Sequence, residues 1–207
     1  MAKLPSGWSV DTARVFLHAA LLCCANAAGA QLLEINEVTR LDRPEIPAAE
    51  YADEAVAIDG GRALLCPALR FGGSGSCLVF QRPPGTFAGW AFVTEILNPQ
   101  PNAWDEFGRA AGLHGDTAVA GIPGGDAAGF NAGAATVHDR QAGGADNWGV
   151  AKSLYASDPA AEHVFAWAVA LSGDTLVVGA PTINSADSGI GSAYVFERGA
   201  GGPDNWG

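Results

Sequence analysis

The sequence predicts an all-β protein, an incomplete β-propeller of about three four-stranded antiparallel blades. Three observations carry that expectation: a repeat with a period of 58 residues, a composition built for turns, and strands that are apolar on both faces.

The repeat comes first, because a fixed period dictates the architecture. Displacing the chain against itself by 58 residues aligns residues 107–149 with 165–207 without a gap, and nearly half of the positions are identical. The identities fall where geometry is demanding. Gly115-Asp116-Thr117 lies on Gly173-Asp174-Thr175, Phe107 on Phe165, Pro123 on Pro181, and Asp146-Asn147-Trp148-Gly149 on Asp204-Asn205-Trp206-Gly207. Trp90 stands a further period upstream, so Trp90, Trp148 and Trp206 mark one place in three successive units. The first unit is more divergent. Residues 55–60 match 168–173, residues 79–82 match 195–198, and Thr39-Arg40-Leu41 takes the place of Lys152-Ser153-Leu154. Shorter surface loops account for the changed offset. The organisation expected is a leader over 1–30, a first unit with a lead-in strand over 31–97, a second over 98–155 and a third over 156–207.

Composition agrees. The chain has 28 glycines and 12 prolines, 16% charged residues and 48% hydrophobic ones, which suits many short strands around a packed core and not a disordered chain. In the third unit the spacing predicts strands over 165–171 and 175–180, joined through Ser172-Gly173-Asp174, a hairpin turn sequence. A third strand is expected over 191–198, with Ala193 and Val195 on one face and Tyr194 and Phe196 on the other. A fourth follows each tryptophan, as over 150–156. The consecutive apolar run Leu176-Val177-Val178 requires cover on both faces, which stacked blades supply. A β-sandwich is the rival, and it does not explain the period.

These residues resemble a known family. Phe107-Gly108, then Gly179-Ala180-Pro181, then Gly191-Ser192-Ala193-Tyr194-Val195-Phe196-Glu197-Arg198 are similar to FG-GAP repeats, the blade unit of integrin alpha-type propellers, and above all to secreted bacterial FG-GAP proteins. The likeness covers roughly residues 38–207. It departs at Phe165-Ala166 (Phe-Gly in the family), at Gly121-Ile122-Pro123 (Gly-Ala-Pro) and at Cys66-Pro67, where a residue is missing; the first two look conservative. Family propellers usually close with seven blades. Three blades leave apolar faces open at both ends, to be covered by further blades beyond Gly207, by self-association, or not at all in a degenerate remnant. A truncated chain is the expectation favoured.

The N-terminus has the layout of a secretory signal: Lys3 and Arg14, an apolar stretch over 15–25 too short to span a bilayer, then Ala28-Gly29-Ala30 before Gln31. Cys23 and Cys24 fall inside it, and Leu22 disfavours lipidation. Cys66 and Cys77 then remain as an isolated pair in an exported chain, which predicts a disulfide. The protein is expected to be secreted or held at the cell surface, with no membrane span after cleavage.

A net charge of −11 without a basic run argues against nucleic acid and anionic membranes. The resemblance implies calcium loops of the Asp-x-Asp-x-Asp-Gly kind, and this sequence lacks them; Asp116 and Asp174 read as turn formers bonding their own turn. Asp126 with Asn131, and Asp187 with Asn184, are weak calcium candidates, so no cofactor is expected. His114, His138 and His163 lack a nucleophile at motif spacing and read as solvated or packed. Asp105, Glu106, Asp158 and Glu162 read as solvated connector residues, and the repeated tryptophans as packing in preference to a glycan platform. The function expected is a non-catalytic recognition or adhesion scaffold with a protein or glycan ligand. The alternatives are a fragment of a polysaccharide hydrolase or lyase, and a degenerate gene product.

Overall fold

The computed structural model describes residue 41 and residues 54–181 and 191–207. The expected leader, the start of the first unit and Asp187 lie outside the described residues. All of the described residues belong to one compact unit.

Among the described residues eleven strands build three antiparallel sheets. Blade 1 contains β1 (Glu54–Asp59), β2 (Arg62–Pro67), β3 (Ser76–Gln81) and β4 (Ala91–Leu97). Blade 2 contains β5 (Ala111–His114), β6 (Thr117–Ile122), β7 (Ala134–Asp139) and β8 (Gly149–Leu154). Blade 3 contains β9 (Ala168–Ser172), β10 (Thr175–Ala180) and β11 (Ser192–Glu197). In each sheet the strands pair in sequence order. The third sheet has three described strands and not four. Trp206 and Gly207 begin the missing position, through the Arg198–Trp206 bridge and the Glu197–Gly207 hydrogen bonds. Pro123 and Pro181 stand directly after β6 and β10, where a residue without an N–H ends the ladder.

The sheets stack face to face with their first strands in succession: β1 lies against β5, and β5 against β9. This is the propeller arrangement, and it excludes the sandwich. One core cluster joins blade 1 to blade 2 through Leu64, Val79 and Ile96 on one side and Leu113, Ala118 and Ala120 on the other. A second joins blade 2 to blade 3 through Val119, Val137 and Leu154 against Leu176, Val178 and Phe196. The fourth strand of each complete blade thus reaches the next one, with Ile96 and Leu154 at equivalent positions. Leu41, which the repeat places at that same position, packs against Leu78 and Phe80 of blade 1.

The three tryptophans occupy like environments, each on the side of its blade that faces the preceding unit. Trp148 lies in the cluster between blades 1 and 2 and Trp206 in that between blades 2 and 3, exposed by 2% and 3%. Trp90 packs with Leu78 and Phe80 on the outer face of blade 1 and is half-buried, because no described blade precedes it. Arg82 and Arg198, at the ends of the third strands, lie over the Trp90 and Trp206 rings at 5.5 and 5.0 Å.

Each connector enters the next blade along the third strand of the previous one. Phe107 bridges Gly75 and Phe165 bridges Gly133, both in parallel, and both rings are fully buried. The amides of Glu106 and Phe107 donate to the carbonyls of Gly73 and Ser74; those of Val164 and Phe165 donate to Asn131 and Ala132. The path demands left-handed backbone at the same repeat positions, with φ of 69° and 54° at Trp104 and Glu106 and 64° and 45° at Glu162 and Val164. For a β-branched residue such as Val164 this is real strain, held by burial and the two interblade bonds.

Candidate functional site

Cys66 and Cys77 are joined by a disulfide across the facing ends of β2 and β3. Register places them where blade 2 has Gly121 and Ala135, the smallest side chains available. Room for the incoming connector is the limiting factor here. A Cβ on Gly108 would lie 2.7 Å from the Cys66 Cβ and 2.9 Å from the Cys77 sulfur, so blade 2 must enter with glycine. At the next junction Gly121 and Ala135 leave room for a methyl group, and Ala166 stands where glycine stood. With residues 66 and 77 closing a short loop, replacing both cysteines by alanine is expected to cost about 3 kcal/mol. Urea denaturation of oxidised and variant protein measures it.

The change from glycine to Ala166 is not conservative in conformation. Ala166 has a φ of 69°, a region that L side chains enter at a cost of about 1–2 kcal/mol. Ala166→Gly is therefore expected to stabilise the protein by about 1 kcal/mol, read as a raised denaturation midpoint with unchanged slope.

The turns between first and second strands form a clasp between blades 1 and 2. The Gly115 amide donates to Asp59 Oδ2 at 2.6 Å, and Arg62 donates to the Gly115 carbonyl at 2.9 Å. The Asp116 carboxylate receives Arg62 at 3.1 Å and Arg140 at 3.4 Å; in blade 3, Asp174 receives Arg198 at 2.8 Å. Thus the repeated aspartates anchor the arginine ending the third strand. It is Asp59 of the preceding blade, and not Asp116, that takes the turn amide.

A concavity lined by polar groups lies between the connector over 98–105 and the loops of blade 2, with a volume of about 280 Å3. Asn98, Gln100 and Asn102 contribute amides, Ser153 and Tyr155 hydroxyls, and Ile122 and Ala134 an apolar floor. Asp105 holds its shape. Only 2% exposed, its Oδ2 accepts from Asn98 Nδ2 and from the Asn102 amide, both at 2.8 Å. Burial pushes the Asp105 pKa up, the two donors oppose that, and the negative charge of Asp126 adds to it. Asp105 is therefore buried and bonded, contrary to the solvated connector residue the sequence suggests, because a chain reversal rich in Asn and Pro folds its amides around the carboxylate. Asp105→Ala, which strands two donors, is expected to destabilise by about 2 kcal/mol in chemical denaturation.

Asp126 lines the same cavity, and its Oδ1 accepts from the Asn131 amide at 2.8 Å. The two residues of that calcium candidate are thus bonded to each other within one loop. Among the described residues no group of three His, Cys, Asp or Glu side chains is placed to hold a metal ion. Of the remaining connector acids, Asp158 accepts a 2.7 Å hydrogen bond from Tyr194, and Glu106 pairs with Arg109. His138 is packed: it stands at the position of Phe80 and Phe196, 1% exposed, against the edge of Phe107. Its Nδ1 meets the Trp148 carbonyl at 3.0 Å and its Nε2 the Thr136 hydroxyl at 2.9 Å.

Compared with known protein families, residues 148–196 match the FG-GAP repeat. The match spans the fourth strand of blade 2 and all three strands of blade 3. The chain thus carries an FG-GAP repeat over these residues. A search of curated proteins finds no match. In this chain the Phe-Gly element, one period before Phe165-Ala166 of the matched segment, is the interblade connector itself: Phe107 fills the junction and Gly108 passes the disulfide. The Gly-Ala-Pro element is the end of the second strand. Gly121, in its first position, brings blade 3 close, since a Cβ there would meet the Ala166 carbonyl oxygen at 2.2 Å.

Proposed function

We propose that this FG-GAP repeat protein is a non-catalytic recognition scaffold, exported or held at the cell surface, whose blades present the polar cavity of blade 2 to a glycan or a glycan-bearing protein. The cavity carries the reading. Its lining combines amides and hydroxyls with the carboxyl groups of Asp105 and Asp126 beside the apolar Ile122 and Ala134, a combination suited to a hydroxyl-rich ligand. The disulfide supports an oxidising compartment. Among the described residues no helix is long and apolar enough to cross a membrane.

The test is NMR titration of the chain with a panel of neutral oligosaccharides. Shifts should concentrate at Gln100, Ser153 and Tyr155, and Tyr155→Ala should weaken binding about tenfold or more. Shifts spread over the surface, or none, would overturn the reading.

A second reading has one observation in its favour: Asp105 and Asp126 line the same cavity, and the carboxyl with the raised pKa could serve as a general acid in a glycoside hydrolase. Against it, Asp105 Oδ2 is engaged by two N–H donors, a fastening that favours the charged form. Release of reducing ends from a polysaccharide, lost in Asp105→Asn, would establish hydrolysis over recognition.

A further inference from the structure

Beside the polar cavity stand two aromatic side chains that neither the core nor the backbone explains. Trp104 is exposed by 68% and Phe71 by 53%. Both have left-handed backbone, with φ of 69° and 55°, a region that a bulky residue enters only at a cost. At the equivalent places the fold is served by other residues. Glu162 holds the left-handed position of the next connector, and Gly129 stands before the bridged Gly133 where Phe71 stands before Gly75. The aromatic rings are nevertheless firmly mounted. A Cβ on Gly73 would lie 2.9 Å from the Trp104 amide nitrogen and 3.0 Å from its indole ring, so the indole leans on the loop that carries Phe71. A Cβ on Gly124 would lie 2.0 Å from the Trp104 carbonyl oxygen, which wedges this backbone at the seam of blades 1 and 2. Phe71 is held through Arg70, whose guanidinium lies 4.3 Å over the ring while pairing with Glu95 of β4.

A second concavity, of about 300 Å3, opens on the Phe71 side, lined by Phe71, Leu97 and Pro101 with Ser74, Gly75 and Asn98. Asn98 lines the polar cavity as well, and the connector divides the two, with Pro101 on one side and Asn102 on the other. The dividing wall is firm. Asn98 is 6% exposed, donates to Asp105 and accepts from the Gln100 amide at 3.0 Å. Trp104 precedes Asp105, itself part of the cavity lining. Aromatic faces next to an amide-lined hollow are the chemistry of sugar recognition: the C–H face of a pyranose packs on the negative face of the ring, and its hydroxyl rim takes the hydrogen bonds. Single-stranded nucleic acid also stacks on such rings, but it needs a basic groove. Here the lining holds the carboxyl groups of Asp105 and Asp126, in a chain of net charge −11.

We infer that the ligand of the blade 2 cavity is a glycan chain and not a single sugar: one unit occupies the polar cavity, and a neighbouring unit stacks on Phe71 and Trp104 across the Asn98 wall. The inference rests on the reading of that cavity as a glycan site, and adds to it a second subsite and a minimum ligand length. It also gives the two strained, exposed rings a purpose. Fixed in place before the ligand arrives, they lose little freedom when it binds.

NMR titration of the isotope-labelled full chain separates the two subsites. The probes are glucose, xylose and N-acetylglucosamine, and the short linear oligomers of each. A monomer should shift Gln100, Ser153 and Tyr155 alone. Its oligomers should shift these together with the Phe71 amide and the Trp104 indole N–H, and bind about tenfold more tightly or better. Trp104→Ala should cost the oligomer about tenfold in affinity and leave the monomer unchanged; Phe71→Gly, which installs the residue of blade 2, should act in the same direction. Should Trp104→Ala lose its dispersed spectrum, Trp104→Glu, with the residue of the next connector, takes its place with the same expected loss. An oligomer that shifts Gln100, Ser153 and Tyr155 but neither Phe71 nor Trp104 overturns the inference and leaves the cavity reading standing. So does an equal loss of monomer and oligomer affinity in Trp104→Ala. Silence at both places with every sugar overturns the cavity reading as well. Shifts at Phe71 and Trp104 with a proline-rich peptide and with no sugar would assign the rings to peptide docking, and overturn the inference too.

Discussion

Replacing Gly133 by alanine is expected to destabilise the protein by about 3 kcal/mol or more and to loosen the junction between blades 2 and 3. Two effects add. Gly133 has a φ of 84°, which costs an L residue about 1–2 kcal/mol. A Cβ there would also lie 2.3 Å from the Phe165 carbonyl oxygen and 2.4 Å from its amide nitrogen. Both atoms are backbone, so relief requires moving the connector and weakening the bonds from Val164 to Asn131 and from Phe165 to Ala132, each worth about 1 kcal/mol. Gly115 provides the control. Its φ is 55° and nothing lies within 4 Å of its missing Cβ, so Gly115→Ala should cost only the conformational part, about 1 kcal/mol. Urea denaturation of both variants decides; equal losses would show that Gly133 is not a site of close approach.

His138 is expected to make the protein lose about 3 kcal/mol of stability on acidification from pH 7 to pH 4. Burial lowers its pKa from 6.5 to about 4, with the hydrogen bond to the Trp148 carbonyl acting in the opposite sense. In the unfolded chain the imidazole binds a proton below about pH 6.5, while in the folded protein it stays neutral to about pH 4. Between these values the unfolded state binds more protons, so stability rises with pH across the window. It is complete above the upper value and falls no further, from this group, below the lower. His138→Phe installs the residue that Phe80 and Phe196 supply in the other blades. It should remove this slope, leaving a constant offset from the unpaired Trp148 carbonyl and Thr136 hydroxyl. Parallel stability curves for parent and variant would assign the acid sensitivity elsewhere.

The blades were legible because the residues that repeat are those whose geometry admits few substitutes. Gly133, Phe165, Trp148 and Trp206 recur since a parallel close approach and a large buried ring leave little choice. Both-face apolarity of β10 announced the stacking, and an isolated cysteine pair announced the crosslink. The strain at Val164 and Ala166 left no trace, because neither residue prefers the backbone it adopts; tertiary contacts impose it. Asp105 was misread for a related reason. Its counterpart one period on is His163, so the repeat gives no hint of a shared role, and only folding of residues 98–102 around the carboxylate makes it an interior group. The clasp of Arg62, Asp116 and Arg140 was visible in part as a repeated Asp and Arg, but a link between blades needs coordinates.

Contacts between the first strands of successive blades test the account at its centre, and nuclear Overhauser effects report them. Gly112 of β5 faces β9 so closely that a Cβ would stand 3.1 Å from the Leu171 Cβ and 3.8 Å from a Val169 methyl. Stacked blades predict strong effects from the Gly112 α-protons to the side chains of Leu171 and Val169. If these are absent in a folded sample whose strand pairings within each sheet are intact, the sheets do not stack in this order and the propeller assignment fails.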